Sequence, residues 1–368
     1  MSKIYFRNSC NWSEVYAVIE NYKIQLDLRD ADGDYIFDFE NNKYSSIHFE
    51  NGLGEKTGIV YPGALSIGIE YKKNEGMNKN LTYLFAKNIV QTGRVDNYIL
   101  PDEKNLAHRD DLSKKISVFV PASYDGITAH DILYFFDAQN LFGAAGHYTD
   151  SGDPYGSWQL DIVLNVINRQ CSKNIIVVAI DNADKYRDQE LFMNPGNFGK
   201  LAPLATALPD EDYSHGQLEG LDSFMKETLH PFIKEKYCIK EDNIGIGGSS
   251  MGGIASFYCG LCGCGFYKYV LSYSPAYGLY EMSAFENWFL TKNFAENIDK
   301  LPKIHIYCGE GDPLERLLIG SSREMKDLLE KYGYPKNRVV ETYDTEKPHN
   351  EESWRMILCE SFTKLLDL

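Results

Sequence analysis

Ile244-Gly-Ile-Gly-Gly-Ser-Ser250-Met-Gly-Gly253 is the stretch on which the reading of this 368-residue chain turns. The apolar residues 244–247 predict a short strand, and residues 251–259 predict a helix. Between them, Gly248-Ser249-Ser250-Met251-Gly252 fits the pattern G-x-S-x-G. A serine at the centre of a tight strand-to-helix turn stands proud of the sheet edge. The turn leaves no room for side chains two positions before or after it, which explains Gly248 and Gly252. The pattern alone is common by chance. A strand before it, a helix after it and two further glycines make Ser250 a candidate nucleophile.

Outward from that turn, runs of two kinds alternate. Strands are predicted at 116–120, 132–136, 175–180, 270–273, 303–308 and 339–343, and helices at 158–168, 217–236, 314–331 and 351–366. Such alternation predicts an α/β architecture, a mainly parallel sheet with helices on both faces. Residues 181–216 break the rhythm with Pro, Gly, Asn and Asp, as binding loops do. Residues before about 75 differ: short β-like runs at 4–6, 15–19, 35–39, 46–49 and 64–71 are punctuated by Asp32-Gly33, Asn51-Gly52 and Pro62-Gly63. They predict a small all-β sandwich. Polar segments at 72–80 and 102–115 are both candidate linkers. The division is placed at 1–100 for the sandwich and 101–368 for the α/β domain.

A serine hydroxyl needs a base to take its proton, and the base needs an orienting carboxylate. In the strand-turn-helix setting the chain order is Ser, acid, His. Only His305 and His349 follow Ser250. His305 lies inside a predicted strand and is read as packed; His349, in a loop after the last strand, is read as the base. The strand ending at Cys308 runs into Gly309-Glu310-Gly311-Asp312. Asp312 is the preferred acid and Glu310 the alternative, with the competing reading that both cap the following helix. The oxyanion hole needs two N–H donors. The backbone of Met251 supplies one, and that of Gln139, after the strand at 132–136, is the candidate for the second. Arg187 and Glu190, at the root of the long loop, are read as an ion pair that orders it or as substrate contacts, with the ordering role favoured.

Composition narrows the partners. The chain has 37 Lys and Arg against 53 Asp and Glu, a formal charge of −16. That balance argues against nucleic acid and anionic membrane, both themselves negative. The eight cysteines show no pairing pattern, and Cys259, Cys262 and Cys264 crowd one predicted helix and its end without a fourth converging ligand. They are read as small packing residues, and scattered thiols suit a reducing compartment. The first residues lack the apolar stretch of a signal peptide, so a cytoplasmic location is expected. Neither metal nor organic cofactor is required by the serine chemistry.

The ordered motifs Ile132-Leu-Tyr-Phe-Phe-Asp-Ala-Gln-Asn-Leu-Phe142, Asp181-Asn-Ala-Asp-Lys-Tyr-Arg187-Asp-Gln-Glu190, Gly247-Gly-Ser-Ser-Met-Gly-Gly253, Ser272-Tyr-Ser-Pro-Ala276 and His349-Asn-Glu-Glu-Ser-Trp354 resemble the putative-esterase family of α/β-hydrolases. That family includes enterochelin (trilactone siderophore), feruloyl and acetylxylan esterases. The resemblance covers roughly residues 112–368. It implies an α/β-hydrolase fold and an acyl-serine mechanism with Ser250, His349 and Asp312. Ala138 departs from the Gly common in relatives, and Trp158 lies where relatives often place an aromatic lining the acyl pocket. The N-terminal segments 4–17 and 47–57 are similar to small starch-binding β-sandwich modules, which implies possible weak glucan binding. The expectation is a serine carboxylic ester hydrolase acting on acylated sugars, oligosaccharides or aryl (feruloyl, acetyl) esters. The alternatives are a trilactone siderophore esterase and, from another class, a glycan-binding protein with an inactive hydrolase body.

Overall fold

The computed structural model describes residues 2–39, 46–74, 79–88, 92–102, 113–143, 155–193, 216–263 and 265–367. Seven strands build the N-terminal module: β1 (Ser2–Arg7), β2 (Tyr16–Ile19), β3 (Tyr22–Gln25), β4 (Tyr35–Phe39), β5 (His48–Glu50), β6 (Ile67–Asn74) and β7 (Lys79–Phe85). They form one sheet of order β4-β1-β6-β7 and a second of order β3-β2-β5. Alternation sets the inner faces. Ile4 and Phe6 of β1, Ala17 of β2 and Phe49 of β5 are all buried, and the Phe6 and Phe49 rings stack across the two sheets at 4.5 Å. Part of the polar stretch once eligible as a linker, 72–80, is the end of β6 and the start of β7, paired antiparallel from Gly68↔Phe85 to Asn74↔Lys79.

The larger sheet has eight strands: β8 (Arg94–Pro101), β9 (Ser113–Val120), β10 (His130–Phe136), β11 (Ile175–Ile180), β12 (Ile239–Ser249), β13 (Tyr269–Tyr273), β14 (Lys303–Gly309) and β15 (Val339–Asp344). Their order is β15-β14-β13-β12-β10-β11-β9-β8. From β15 to β11 every pairing is parallel, and the β11–β9 and β9–β8 pairings are antiparallel. Because β8 pairs with β9 along its whole length, residues from Arg94 onward belong to the larger sheet. The polar, half-exposed sequence of β8 hides it from a hydropathy reading, as suits an edge strand.

Helices cover the sheet: α1 (Leu160–Gln170), α2 (Arg187–Leu191), α3 (Leu218–Phe224), α4 (His230–Lys236), α5 (Met251–Cys262), α6 (Met282–Leu290), α7 (Pro313–Lys331) and α8 (Glu351–Leu366). A π-helical turn at Met225–Leu229 joins α3 to α4. One face of the sheet packs under α3 to α7. The opposite face packs under α1 and α8, and its core runs without interruption into the N-terminal module, from Phe135, Trp158 and Trp354 to Ile4, Phe6 and Ile67. Polar ties seal the same boundary. The Tyr61 hydroxyl donates to Asp344 Oδ2 at 2.5 Å, Thr82 N donates to Glu352 Oε1 at 2.7 Å, and Arg355 Nε donates to Thr82 O at 2.8 Å. Trp12, the single N-terminal Trp, is 7% exposed, stacks on Phe6 and donates to Glu55. It is a core ring and offers no flat face to a glucan.

Candidate active site

Parallel strands place their C-terminal ends at one sheet edge, where loops can gather groups for chemistry. Ser250 follows β12 directly, with φ 56° and ψ −118°. A positive φ at a non-glycine residue stores strain on the order of 1–3 kcal/mol. Neighbouring strands hold it there: Ser250 N donates to Tyr273 O at 2.9 Å, and Ala276 N donates to Ser250 O at 3.1 Å. Gly248 cannot be replaced, because a Cβ would stand 2.6 Å from Gly252 O. Among the described residues no side chain is hydrogen-bonded to the Ser250 hydroxyl. Such contacts tighten in many hydrolases only once substrate is bound.

His349 lies beyond β15, in the loop that leads into α8, and its side chain is 12% exposed. Its Nδ1 lies 2.9 Å from Glu315 Oε1. A carboxylate can only accept, so Nδ1 carries the hydrogen and the lone pair is left on Nε2, the nitrogen able to take a proton. The ring is held edge-on against Trp354 at 5.1 Å. His305 is buried in β14 with its Nε2 3.0 Å from Thr342 Oγ1, and burial presses its pKa down to about 3. It is a packed histidine, as its strand position implies.

The residue facing the imidazole corrects the sequence reading: it is Glu315, not Asp312 or Glu310. Asp312 caps α7. Its Oδ1 accepts from Glu315 N at 2.8 Å, and its Oδ2 accepts from His349 N at 2.6 Å. Its two oxygens are therefore committed to backbone. Glu310 pairs with Arg323 at 3.0 Å. Glu315, three residues into the helix, has no solvent exposure and reaches across to the ring. Burial would raise its pKa. The hydrogen bond and charge of His349, with donors from Cys308 and Ser274, outweigh that and hold it below the ordinary carboxylate range. Gly309 N adds a further donor at 2.8 Å, and Cys308 Sγ lies 3.0 Å from Oε2. Burial and the adjacent carboxylate push the Cys308 thiol up, so it stays protonated and donates. Asp312-Pro-Leu-Glu315 has the spacing of a capping box. That spacing marks Asp312 as spent on the helix end but does not single out Glu315, which in a capping box would bond back to the cap and here turns instead to Gly309 N and His349.

Met251 opens α5, so its N–H belongs to the first helical turn, whose donors have no partner inside the helix and sit at the positive end of the dipole. Gln139 lies in a 3-10 turn, Ala138–Asn140, directly after β10. Strand β10 neighbours β12 through Phe135↔Gly247, so the two donors leave adjacent strand ends. Asp137, at φ 59°, makes the corner between strand and turn. Arg187 donates to both its oxygens, Nε at 2.7 Å and Nη2 at 2.8 Å, and Asn182 Nδ2 donates at 2.8 Å. Burial would raise Asp137, but the guanidinium and the amide lower it on balance. Glu190 is in a fully buried ion pair with Lys114. Arg187 is thus paired with Asp137 and Glu190 with Lys114, at the start of the segment that follows β11. Trp158 is a second correction. It is 2% exposed, stacks on Trp354 at 5.1 Å and meets Phe135 and Tyr273 edge-on, so it backs the ring that backs His349 as a core residue.

Among the described residues, the one group of side chains close enough to share a metal ion is Asp30, Asp32 and Asp34, and Lys87 Nζ stands among them at 2.6–2.7 Å. Cys259 is buried, Cys262 is partly buried, and Cys264 falls outside the described residues. Among the described residues no helix is long and apolar enough to cross a membrane.

A family model described as "Putative esterase" matches residues 111–365. By structure, the chain is similar to the enterobactin esterase from Shigella flexneri, with 13% identity and a TM-score of 0.54 over 97% of this chain and 89% of that one. It is also similar to a siderophore hydrolase from Aspergillus nidulans, with 16% identity and a TM-score of 0.53 over 76% and 98%. A ferulic acid esterase from Anaeromyces mucronatus aligns at 16% identity and a TM-score of 0.50 over 80% and 97%. At these identities the likeness is one of fold. A search of curated proteins by sequence found no match.

Proposed function

The chain belongs to the putative-esterase family and is a serine ester hydrolase, and on that footing we propose that Ser250, His349 and Glu315 carry its chemistry. The observation that supports this most directly is the His349 Nδ1–Glu315 contact at 2.9 Å, on the same sheet edge as the strained Ser250. Ser250 Oγ adds to the ester carbonyl while His349 Nε2 takes its proton. The N–H groups of Met251 and Gln139 hold the oxyanion. The tetrahedral adduct collapses, the C–O bond to the alcohol breaks, and His349 returns the proton to the departing oxygen. Water, deprotonated by the same imidazole, then adds to the acyl-serine and releases the acid. Glu315 remains ionised throughout and keeps the imidazole in the productive tautomer.

The substrates proposed are acylated sugars or aryl esters of the acetyl and feruloyl kind. The neutral character of such esters agrees with the net charge of −16 and with an Arg187 already committed to Asp137. A second reading, a trilactone siderophore, draws on the fold match to the enterobactin esterase, which extends through the N-terminal module. Turnover of p-nitrophenyl acetate by the wild type and its loss by at least about 10⁴-fold in Ser250→Ala tests the nucleophile. A mutant that keeps full activity overturns it, and a wild type without turnover supports an inactive body. Acetyl, feruloyl and trilactone esters compared by kcat/KM then separate the substrates.

A further inference from the structure

Between the N-terminal module and the loop carrying His349 lies a cleft of about 240 Å³. Its walls come from both units: Lys56, Thr57, Tyr71 and Asn80 from one, Glu346, Lys347 and Glu352 from the other. None of them belongs to the Ser250, His349, Glu315 set. Lys347 is only 6% exposed, yet among the described residues its ammonium has no hydrogen-bond partner. It points to the cleft beside Gly58, where a Cβ would lie 3.4 Å from Nζ. Burial lowers its pKa to about 8, against the opposing pull of Asp344, Glu352 and Glu346, with Arg355 adding to the lowering. The ammonium meets the cleft rather than a protein acceptor, so a ligand oxygen can take the place of solvent there.

The charges in the walls choose the kind of ligand. Lys56 and Lys347 are balanced by Glu346 and Glu352, and Asp344 adds negative charge behind Lys347. The walls themselves carry two cations and two carboxylates, so neither an anion nor a cation meets a surplus of opposite charge. A neutral molecule rich in hydroxyls accepts from Lys347 and donates to the glutamates, with the Tyr71 ring as an apolar flank. We propose that this cleft is a binding site for a small sugar or sugar-like polyol, separate from the ester-cleaving centre. Lys347 is the residue two before His349, so an occupant bears on the segment that carries the imidazole.

Isothermal titration of the full chain with glucose, xylose, arabinose, maltose and cellobiose tests the site, with phosphate and acetate as anionic probes. At least one sugar is expected to bind saturably, and neither anion at equal concentration. Lys347→Met should weaken that sugar by about tenfold or more, the loss of a hydrogen bond from a charged donor. Gly58→Ala, which narrows the cleft beside Nζ while keeping the charge, should weaken it as well. Circular dichroism verifies that each variant is folded. Sugar binding that persists after Ser250 is phosphonylated by a fluorophosphonate, which fills the ester-cleaving centre, shows the cleft to be separate from it. The proposal is overturned if no sugar binds, if phosphate or acetate binds in its place, or if both cleft variants bind sugar as the wild type does.

Discussion

Glu315 holds the His349 imidazole from a position closed to solvent, with donors from Gly309, Cys308 and Ser274 already arranged for a negative charge. Replacing the carboxylate by an amide leaves the shape and removes the tautomer control. Glu315→Gln is therefore expected to lower kcat for p-nitrophenyl acetate by about 10³–10⁴-fold with little change in KM. Asp312→Asn keeps the cap on Glu315 N but loses the acceptor for His349 N, and should cost about 1–3 kcal/mol of stability with a kcat loss under about tenfold. Steady-state kinetics and urea titration of both variants distinguish the two acids, and a larger kcat loss in Asp312→Asn would reverse the assignment. The pair shows where sequence reading runs short. An acid is sought directly after a strand, and Asp312 stands nearest; that its oxygens are used up by two backbone N–H groups is a fact of three-dimensional closure between α7 and the His349 loop. Lys347 gives a second expectation. Its folded pKa, about 8, lies below the ordinary lysine value, so the unfolded chain binds more protons between the two. The penalty is full below pH 8 and fades as pH rises toward about 10.5, on the order of 3 kcal/mol. Lys347→Met should thus raise Tm at pH 7, and the advantage should shrink by pH 10 in differential scanning calorimetry.

At the scale of elements, the turn after β10 is the part most exposed to error. Its corner residue Asp137 sits at φ 59° and is pinned by Arg187 from α2. Arg187→Ala should release the Gln139 donor from its place and lower kcat by about 10–100-fold, less than the loss of a triad member. Glu190→Ala should act differently, removing the buried carboxylate that pairs with Lys114 at a cost of about 3–5 kcal/mol seen in denaturant titration. The interior strands were legible because parallel strands covered on both faces read as unbroken apolar runs; residues 175–180 match β11 end to end. The elbow was legible because its glycines leave a pattern that close backbone approach demands. The start of β12 was not, since Lys240-Glu-Asp-Asn243 is polar and exposed there. The pairing of β8 also escaped, because an edge strand carries little hydrophobic signal. Trp158 was ambiguous for a related reason: an aromatic residue at a helix entrance serves core and pocket equally well in one dimension.

On the scale of the molecule, the two modules share one core rather than a wetted seam. The expectation is a single cooperative unfolding transition, with calorimetric and van't Hoff enthalpies in agreement. Tyr61→Phe removes a hydrogen bond to a charged acceptor and should cost about 1.5–3 kcal/mol of that global stability. Two resolved transitions, or a Tyr61→Phe chain of unchanged stability, would contradict the shared core.

The helix at Glu351–Leu366 touches β7, α1 and the Pro62-Gly63 turn, all synthesised long before it. On a ribosome those earlier segments emerge with a sticky apolar face and nothing to lay against it. The N-terminal module therefore waits for a helix made about 270 residues later, and the interval between them is when this chain most needs a chaperone.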